Sequence, residues 1–425
     1  MHIIDVPKRA PSNGGVDLPT AVVVGLEANG LGAARALALH GIPCIALAGP
    51  RWNPCFQTNT CTVVRSTDWT AESLVQDLLS IGRTLRCKAP LLLTKDRAVV
   101  WVSEAREELT EFYEIALPPK PVVDLLMSKV EFIKLAQREQ WPIPLTWIIE
   151  SKDELAARLA EITYPSILKP QVKNDVFRRY SPKKAFRVTT RDELIQTYEM
   201  VCAWEKEVVV QEWIAGGDDR VGFCLTYSRL DAQPLALFPG RKLIQWPVGW
   251  GNTAVSEPAP EEWATPLVAL TRKIWENVGY VGLGSMEYKF RPGSNTPTIM
   301  EPTVGRTDFQ SELAVLNGVN IPAIAYSDLA GLPPPPSVVA SRAMKLIDGP
   351  SHLHAARVFV ASPDLRVANW IKARRGYKRY MIARAGDYGP FLGSIYSSLR
   401  SSAGDILQWL LGNRLKQRLT ARAAK

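Results

Sequence analysis

Residues 284–306 read GSMEYKFRPGSNTPTIMEPTVGR, two short apolar runs flanking a turn-rich middle. Arg291-Pro292-Gly293-Ser294-Asn295-Thr296 is built of strand-ending residues, so the stretch reads as an antiparallel hairpin. Glu287 and Glu301 each stand seven residues from Ser294. A loop symmetric about Ser294 makes them direct cross-strand neighbours, with Cβ atoms ~5 Å apart, where like charges destabilise a sheet. Carboxylates so placed want a cation between them. Mg²⁺ suits, because it takes one or two carboxylates and completes its shell with phosphate oxygens and water. The alternative is a different register, or two solvated glutamates with one paired to Lys289 or Arg291.

Working outward, AVVVGL (21–26), a helix over Gly30–His40 and IPCIALA (42–48) make an opening βαβ unit of a doubly wound sheet. CTVV (61–64), a helix over Ala71–Arg83 and APLLL (89–93) continue the alternation, and Pro118, Pro119 and Pro121 mark a boundary. Helical spacing over Ser128–Gln140 leads into the strand PLTWIIE (144–150). Ser151 with Glu154, and Thr190 with Glu193, form capping boxes that open two helices around the strand YPSILKP (164–170). EVVVQEW, VGFCLTY, PLALF and RKLIQW (within 207–246) then predict four strands of a largely antiparallel sheet. A helix over Glu261–Asn277 precedes the hairpin, and LPPPPS (332–337) is a linker.

Several chemistries are excluded. Gly25, Gly30 and Gly32 are spaced GxxxxGxG rather than GxGxxG, and the second strand ends in Ala46-Leu47-Ala48-Gly49 without an acid for a ribose hydroxyl. Leu31-Gly32 stands where a phosphate loop needs Lys-Ser/Thr, so these glycines read as a tight turn and close helix packing. The six cysteines form no CxxC pair, and His2, His40, His352 and His354 lie in no triad or zinc pattern. With no apolar leader and no run of about 18 apolar residues, the expected location is the reducing cytoplasm.

The ordered set of elements resembles the ATP-grasp superfamily, specifically its carboxylate–amine ligase branch that includes D-aspartate ligase-like enzymes. VVVGLEANGLGAARALALHGIPCIALA resembles the family's N-terminal α/β domain, and Leu93-Thr94-Lys95-Asp96 its following acidic turn. SKVEFIKLAQREQWPIPLTW, YPSILKP, VVVQEWIAGGDD, YVGLGSMEYKF and IMEPTVGR match later elements in the family order. The resemblance implies a mixed α/β and α+β chain. Its parts would be a polar tail (1–20), a Rossmann-like pre-ATP-grasp domain (21–117), and an ATP-grasp domain (118–331) with antiparallel sheets. That domain would divide into a smaller subdomain (118–206) and a larger metal-binding one (207–331), followed by a Pro linker and basic extension (332–425).

The resemblance also implies roles. Lys129 and Lys169 would hold ATP phosphates. Gln211, Glu212, Trp213 and Ile214 would form a hinge meeting adenine, with Asp218 or Asp219 reaching the ribose or phosphates. Glu287 and Glu301 would bind one or two Mg²⁺ bridging the terminal phosphates, with Thr303 standing where the family has Asn. Arg241 and Arg306 would stabilise the transferring phosphoryl group and the species that follow, and Lys184 in a glycine-free loop (171–184) would clamp phosphate. The implied enzyme is an ATP-dependent ligase forming C–N bonds from a small-molecule carboxylate and an amine through an acyl phosphate. Thr303 and the glycine-free loop keep other readings open: a carboxylase- or kinase-like ATP-grasp reaction, or a non-catalytic nucleotide-binding protein.

Charge is distributed unevenly. The 425 residues carry +9, but residues 361–425 hold 13 Lys and Arg against 3 Asp and Glu, leaving residues 1–360 at −1. That split argues against a nucleic-acid binder. Within the basic end, Asp405–Leu419 places Ile406, Leu407, Leu410 and Leu411 on one side of a helical pattern ahead of Arg414 and Arg418. Such a pattern suits a helix packed on the body, or a peripheral membrane or protein contact through 366–425. A homodimer is compatible with all of this.

Overall fold

The computed structural model describes residues 2–4, 18–170, 185–203, 207–336, 340–362 and 365–400. Lys184 and its loop, and the Asp405–Leu419 pattern, lie outside the described residues.

Three sheets organise the chain. The first takes β1 (His2–Ile4), β2 (Ala21–Val24), β3 (Cys44–Ala48), β4 (Thr62–Arg65), β5 (Ala89–Leu93) and β6 (Tyr113–Glu114) in the order β1-β4-β3-β2-β5-β6. From β4 to β6 every pairing is parallel, and β1 joins β4 antiparallel. Apolar strands without alternation, such as AVVV, suit a sheet covered on both faces. The glycines act as packing devices. Gly25 has φ +94°, and a Cβ on Gly30 would fall 1.8 Å from the Gly25 carbonyl oxygen, so only glycine lets the helix Ala28–Ala38 begin there.

The second sheet is small: β7 (Thr146–Ile149), β8 (Ser166–Pro170), β9 (Phe186–Val188) and β10 (Val208–Glu212), ordered β7-β10-β8-β9 and antiparallel throughout. Both capping serine and threonine side chains do their part. Ser151 Oγ accepts from Glu154 N at 3.1 Å and Thr190 Oγ1 from Glu193 N at 3.2 Å. The returning glutamates reach one residue further back, to Glu150 N and Thr189 N.

The third sheet has seven strands: β11 (Val221–Ser228), β12 (Pro234–Trp246), β13 (Asn252–Pro258), β14 (Gly282–Phe290), β15 (Pro297–Val304), β16 (Lys345–Ile347) and β17 (Lys378–Tyr380). Their order is β15-β14-β11-β12-β13-β16-β17. PLALF and RKLIQW are one strand, not two, because Pro239 and Gly240 between them keep the β11 register. The helix Glu261–Val278 covers one face, where Trp263 stacks on Phe290 at 3.9 Å and Trp275 on Tyr280 at 3.9 Å. Met286, Tyr288 and Phe290 all belong to this core.

Part of the basic extension belongs to the body. Strands β16 and β17 lengthen the large sheet, and the helices Gly349–Ala361 and Val367–Ala373 pack Ala355, Phe359 and Ala373 onto Ile244 and Val255. The chain then returns to the first domain. Buried Arg35 donates through Nε to Asp387 Oδ2 at 2.8 Å and through Nη1 to the Met381 carbonyl, while Asp387 accepts from Thr58 Oγ1 and Asn59 N. Among the described residues no helix is long and apolar enough to cross a membrane.

Two outcomes follow from this packing. Removing one partner of a buried pair strands the other, so Arg35→Ala is expected to cost about 3 kcal/mol in denaturant unfolding. His352 is buried against Trp370 at 4.6 Å, and burial, helped by Arg374, pushes its pKa down to about 4. Between pH 6.5 and about 4 the unfolded chain takes up a proton that the folded one refuses, so this group's contribution is lost as pH falls through that window. Unfolding curves at pH 7 and pH 5 should show His352→Phe losing less stability on acidification than the parent.

Candidate active site: a charged sheet face opposite a lysine strand

The register of β14 and β15 puts Glu287 directly across from Glu301. The route differs from a loop symmetric about Ser294. Tyr288, Lys289 and Phe290 pair with Ile299, Thr298 and Pro297, which centres the turn between Gly293 and Ser294. A bulge then inserts Met300 into β15 and shifts the pairing by one, bringing the glutamates opposite. Thr303, two residues beyond Glu301, lies across from Ser285.

Neither Lys289 nor Arg291 neutralises Glu287. Lys242, buried on β12, places Nζ 2.5 Å from Glu287 Oε2. Asp308 closes the group, accepting from Ser285 Oγ at 3.1 Å and meeting Arg306 Nη1 at 3.5 Å. Burial pushes the Glu287 carboxyl up; Lys242 opposes this, while Glu301 and Asp308 reinforce it. Burial also disfavours the Lys242 ammonium, but Glu287, Asp308 and Glu301 outweigh it and hold that pKa above the ordinary lysine value. Arg306 likewise stays above its usual range despite burial, through Asp308 and Asp96.

Arg241 is not brought to this group. It registers with Glu257 on β13, where Nε and Nη2 reach one carboxylate oxygen at 2.8 and 2.5 Å, and it lies over Trp263 at 5.8 Å. That is the helix-covered face. Adjacent strand residues point to opposite faces, so of Arg241 and Lys242 only the lysine looks toward Glu287. The sequence reading expected the arginine; Lys242 carried no motif signal, only alternation once a register is known.

Facing residues come from the small sheet and the hinge. Lys169, on β8, donates Nζ to Gln211 Oε1 at 3.0 Å, and Gln211 Nε2 reaches Thr146 Oγ1 at 3.0 Å. Lys129 is the first residue of the helix Lys129–Arg138, whose cap Ser128 accepts from Glu131 N. The Glu212 carboxylate is gripped by Arg291 through both Nη atoms at 2.8 and 2.9 Å, which lowers its pKa. The N–H groups of Glu212 and Trp213 donate to the Leu145 and Pro165 carbonyls. Ile214 is buried, and Trp213 has Lys289 and Arg187 at 5.0 and 5.1 Å from its ring, one cation from each sheet. Asp218 is a structural clamp, accepting from Gln245 N and Gly249 N at 2.8 Å each; Asp219 beside it is exposed.

A third wall comes from the first domain. The sheet order reverses between β2 and β5, and at their carboxyl ends Lys95 pairs with Glu27 while Asp96 meets Arg306. Asn29 donates to the Thr94 and Thr307 carbonyls at 3.1 and 2.6 Å. Open α/β sheets bind ligands at such a switch point.

The donor set fits magnesium. Glu287, Glu301 and Asp308 against Lys242 and Arg306 leave an acidic excess. Among the described residues no three His, Cys, Asp or Glu side chains are poised to hold a metal alone. Two carboxylates lacking further protein ligands are what an ion sharing its shell with phosphates requires.

A Rossmann-like sheet, a small antiparallel sheet and a large antiparallel sheet carrying paired glutamates define the ATP-grasp fold. In sequence the chain is similar to D-aspartate ligase of Enterococcus faecium (strain Aus0004), 25% identical over 240 residues. That match covers 53% of this chain, and the chain spans about half (55%) of the relative's length. Among solved structures it is similar to an N5-carboxyaminoimidazole ribonucleotide synthetase in an ADP complex (TM-score 0.61, 13% identity, 82% of this chain and 87% of that one). It is also similar to the biotin carboxylase of Campylobacter jejuni (0.57, 12%, 74% and 72%) and the phosphoribosylglycinamide synthetase of Anaerococcus prevotii (0.55, 14%, 74% and 76%). No protein-family model matches.

The two faces of β12 should respond differently to mutation. Lys242→Met leaves half-buried Glu287 beside two other acids and should lower unfolding free energy by about 2 kcal/mol. Arg241→Met breaks a partly exposed pair and should cost about 1 kcal/mol or less in the same urea titration.

Proposed function

We propose that this chain is an ATP-dependent carboxylate–amine ligase, and the observation that carries the reading is Glu287 opposite Glu301 with Lys242 beneath them. The triphosphate would lie between the sheets, with Lys129 and Lys169 on its phosphates and Lys184 as a further phosphate contact. Magnesium held by Glu287 and Glu301, with the Thr303 hydroxyl as a weaker donor, would neutralise charge on the terminal phosphates.

A substrate carboxylate oxygen then attacks the γ-phosphorus, the bond to the bridging oxygen breaks, and ADP leaves. Attack by the amine nitrogen on the acyl carbon forms the C–N bond and expels phosphate, which leaves with the C–O electron pair and takes up the proton that the nitrogen loses. Charge grows on phosphoryl oxygens in the first step and on the carbonyl oxygen in the second. Lys242 and Arg306, both held charged by neighbouring acids, would stabilise it. Arg241 has no part in this scheme. The acid or the amine would occupy the switch point beside Asn29, Thr94 and Lys95. D-Aspartate is the first acid to try, from the name of the relative, and six unpaired cysteines suit a reducing cytoplasm.

The test is ADP release from Mg-ATP over pairs of acids and amines, with bicarbonate and hydroxyl acceptors in the panel to separate carboxylase- and kinase-like reactions. Glu301→Gln is expected to lower ADP release about a hundredfold. A protein that binds no Mg-ATP, or releases ADP equally well as Glu301→Gln, overturns the ligase reading.

A further inference from the structure

Residues 389–400 are helical and packed the wrong way round for a helix that serves only its own protein. Gly389 and Gly393 form the inward side. A Cβ on Gly389 would sit 1.8 Å from the Gln57 carbonyl oxygen, and one on Gly393 would touch Pro54 and Gln57 at 3.4 Å. Pro390 is buried, and Ser394 and Ser397 are half-buried. The outward side carries Phe391, Leu392, Ile395, Tyr396 and Leu399, preceded by Tyr388, at exposures of 40% to 65%. Their spacing of three and four residues makes one continuous stripe. An apolar stripe of this length left in water marks a surface meant for something else.

Charge identifies what covers it. Beyond Arg400 the sequence of residues 401–425 holds Arg414, Lys416, Arg418, Arg422 and Lys425 against one acid, Asp405. The same residues supply Ile406, Leu407, Trp409, Leu410 and Leu411. A second copy of the chain offers little counter-charge, since residues 1–360 sum to −1. An anionic bilayer offers both requirements at once: an acyl region for Leu392, Ile395 and Leu399, a headgroup level for the Tyr388 and Tyr396 hydroxyls, and phosphates for the basic residues.

We propose that residues 388–400, with the basic sequence that follows, seat this protein on an anionic lipid bilayer. The proposal is independent of the ligase reading. It is tested by floating the full chain with phosphatidylcholine vesicles that contain or lack phosphatidylglycerol, at low and high salt. The chain should float with the anionic vesicles, and at least about tenfold less with neutral ones or at high salt. Leu392→Ser/Ile395→Ser/Leu399→Ser, all at exposed positions, should lose that binding about tenfold while keeping its circular dichroism spectrum. Should that variant fail to fold, Arg414→Gln/Lys416→Gln/Arg418→Gln must show the loss instead. Equal flotation of parent and folded variants, or no flotation of the parent, overturns the proposal. So does a dimer that the serine variant splits while vesicles capture neither form, since the stripe then belongs to a second copy.

Discussion

A lysine ammonium buried beneath two opposed glutamates sets the terms for the large sheet. Lys242 and Glu287 lie on strands separated by β11, so their contact forms only when β12, β11 and β14 are all in register. Solvent cannot take the place of Glu287 around buried Lys242, and Asp308 and Glu301 add negative charge that a displaced lysine would leave unanswered. Strand β14 carries both halves of the arrangement. Ser285, Glu287 and Lys289 turn toward the charged face, while Met286, Tyr288 and Phe290 anchor the aromatic core under the helix Glu261–Val278. A slip of one residue would bury carboxylates among tryptophans, and this penalty makes the register sharp.

The first domain and the large sheet share one core, in which Val23, Leu31 and Leu37 belong to the same cluster as Phe223, Leu225 and Phe238, and polar contacts are added around it. The Glu212–Arg291 fork ties the small sheet to the turn of the β14–β15 hairpin, and Trp213 receives a cation from each side. Arg306 holds Asp96, Asn29 holds Thr307, and Arg35 holds Asp387, so the first domain is stitched both to the segment after β15 and to the returning C-terminal segment. The polar tie between the small sheet and the hairpin is compatible with relative motion of those two units.

Much of this was legible in the residues. Glycine spacing told a packing turn from a dinucleotide loop because the Cβ that Gly30 lacks is what the neighbouring carbonyl excludes. Capping serine and threonine marked two helix starts, since their oxygens have one local use. The glutamate pair was found by counting, although a bulge at Met300 rather than a symmetric turn produces it. Arg241 against Lys242 was beyond counting. Alternation says that they diverge, and only the pairing of Gly222 with both Arg241 and Tyr288 says which one faces the core. Net charge proved the least informative quantity, because Arg384 of the basic end is spent on buried Glu312 and never reaches the surface chemistry.

The Met300 bulge has a further meaning for how this hairpin tolerates change. It lies between the turn and the glutamates, and the turn itself, with Pro292, Gly293 and Asn295 in the open, makes few demands. Residues inserted within 291–296 would lengthen a solvent loop and leave the paired carboxylates where they are. Closing the bulge at unchanged length would set Met300 across from Glu287 in place of Glu301, whereas losing Met300 itself would straighten the strand and keep the two glutamates opposite. The bulge is therefore what reconciles the length of this strand with the carboxylate pair.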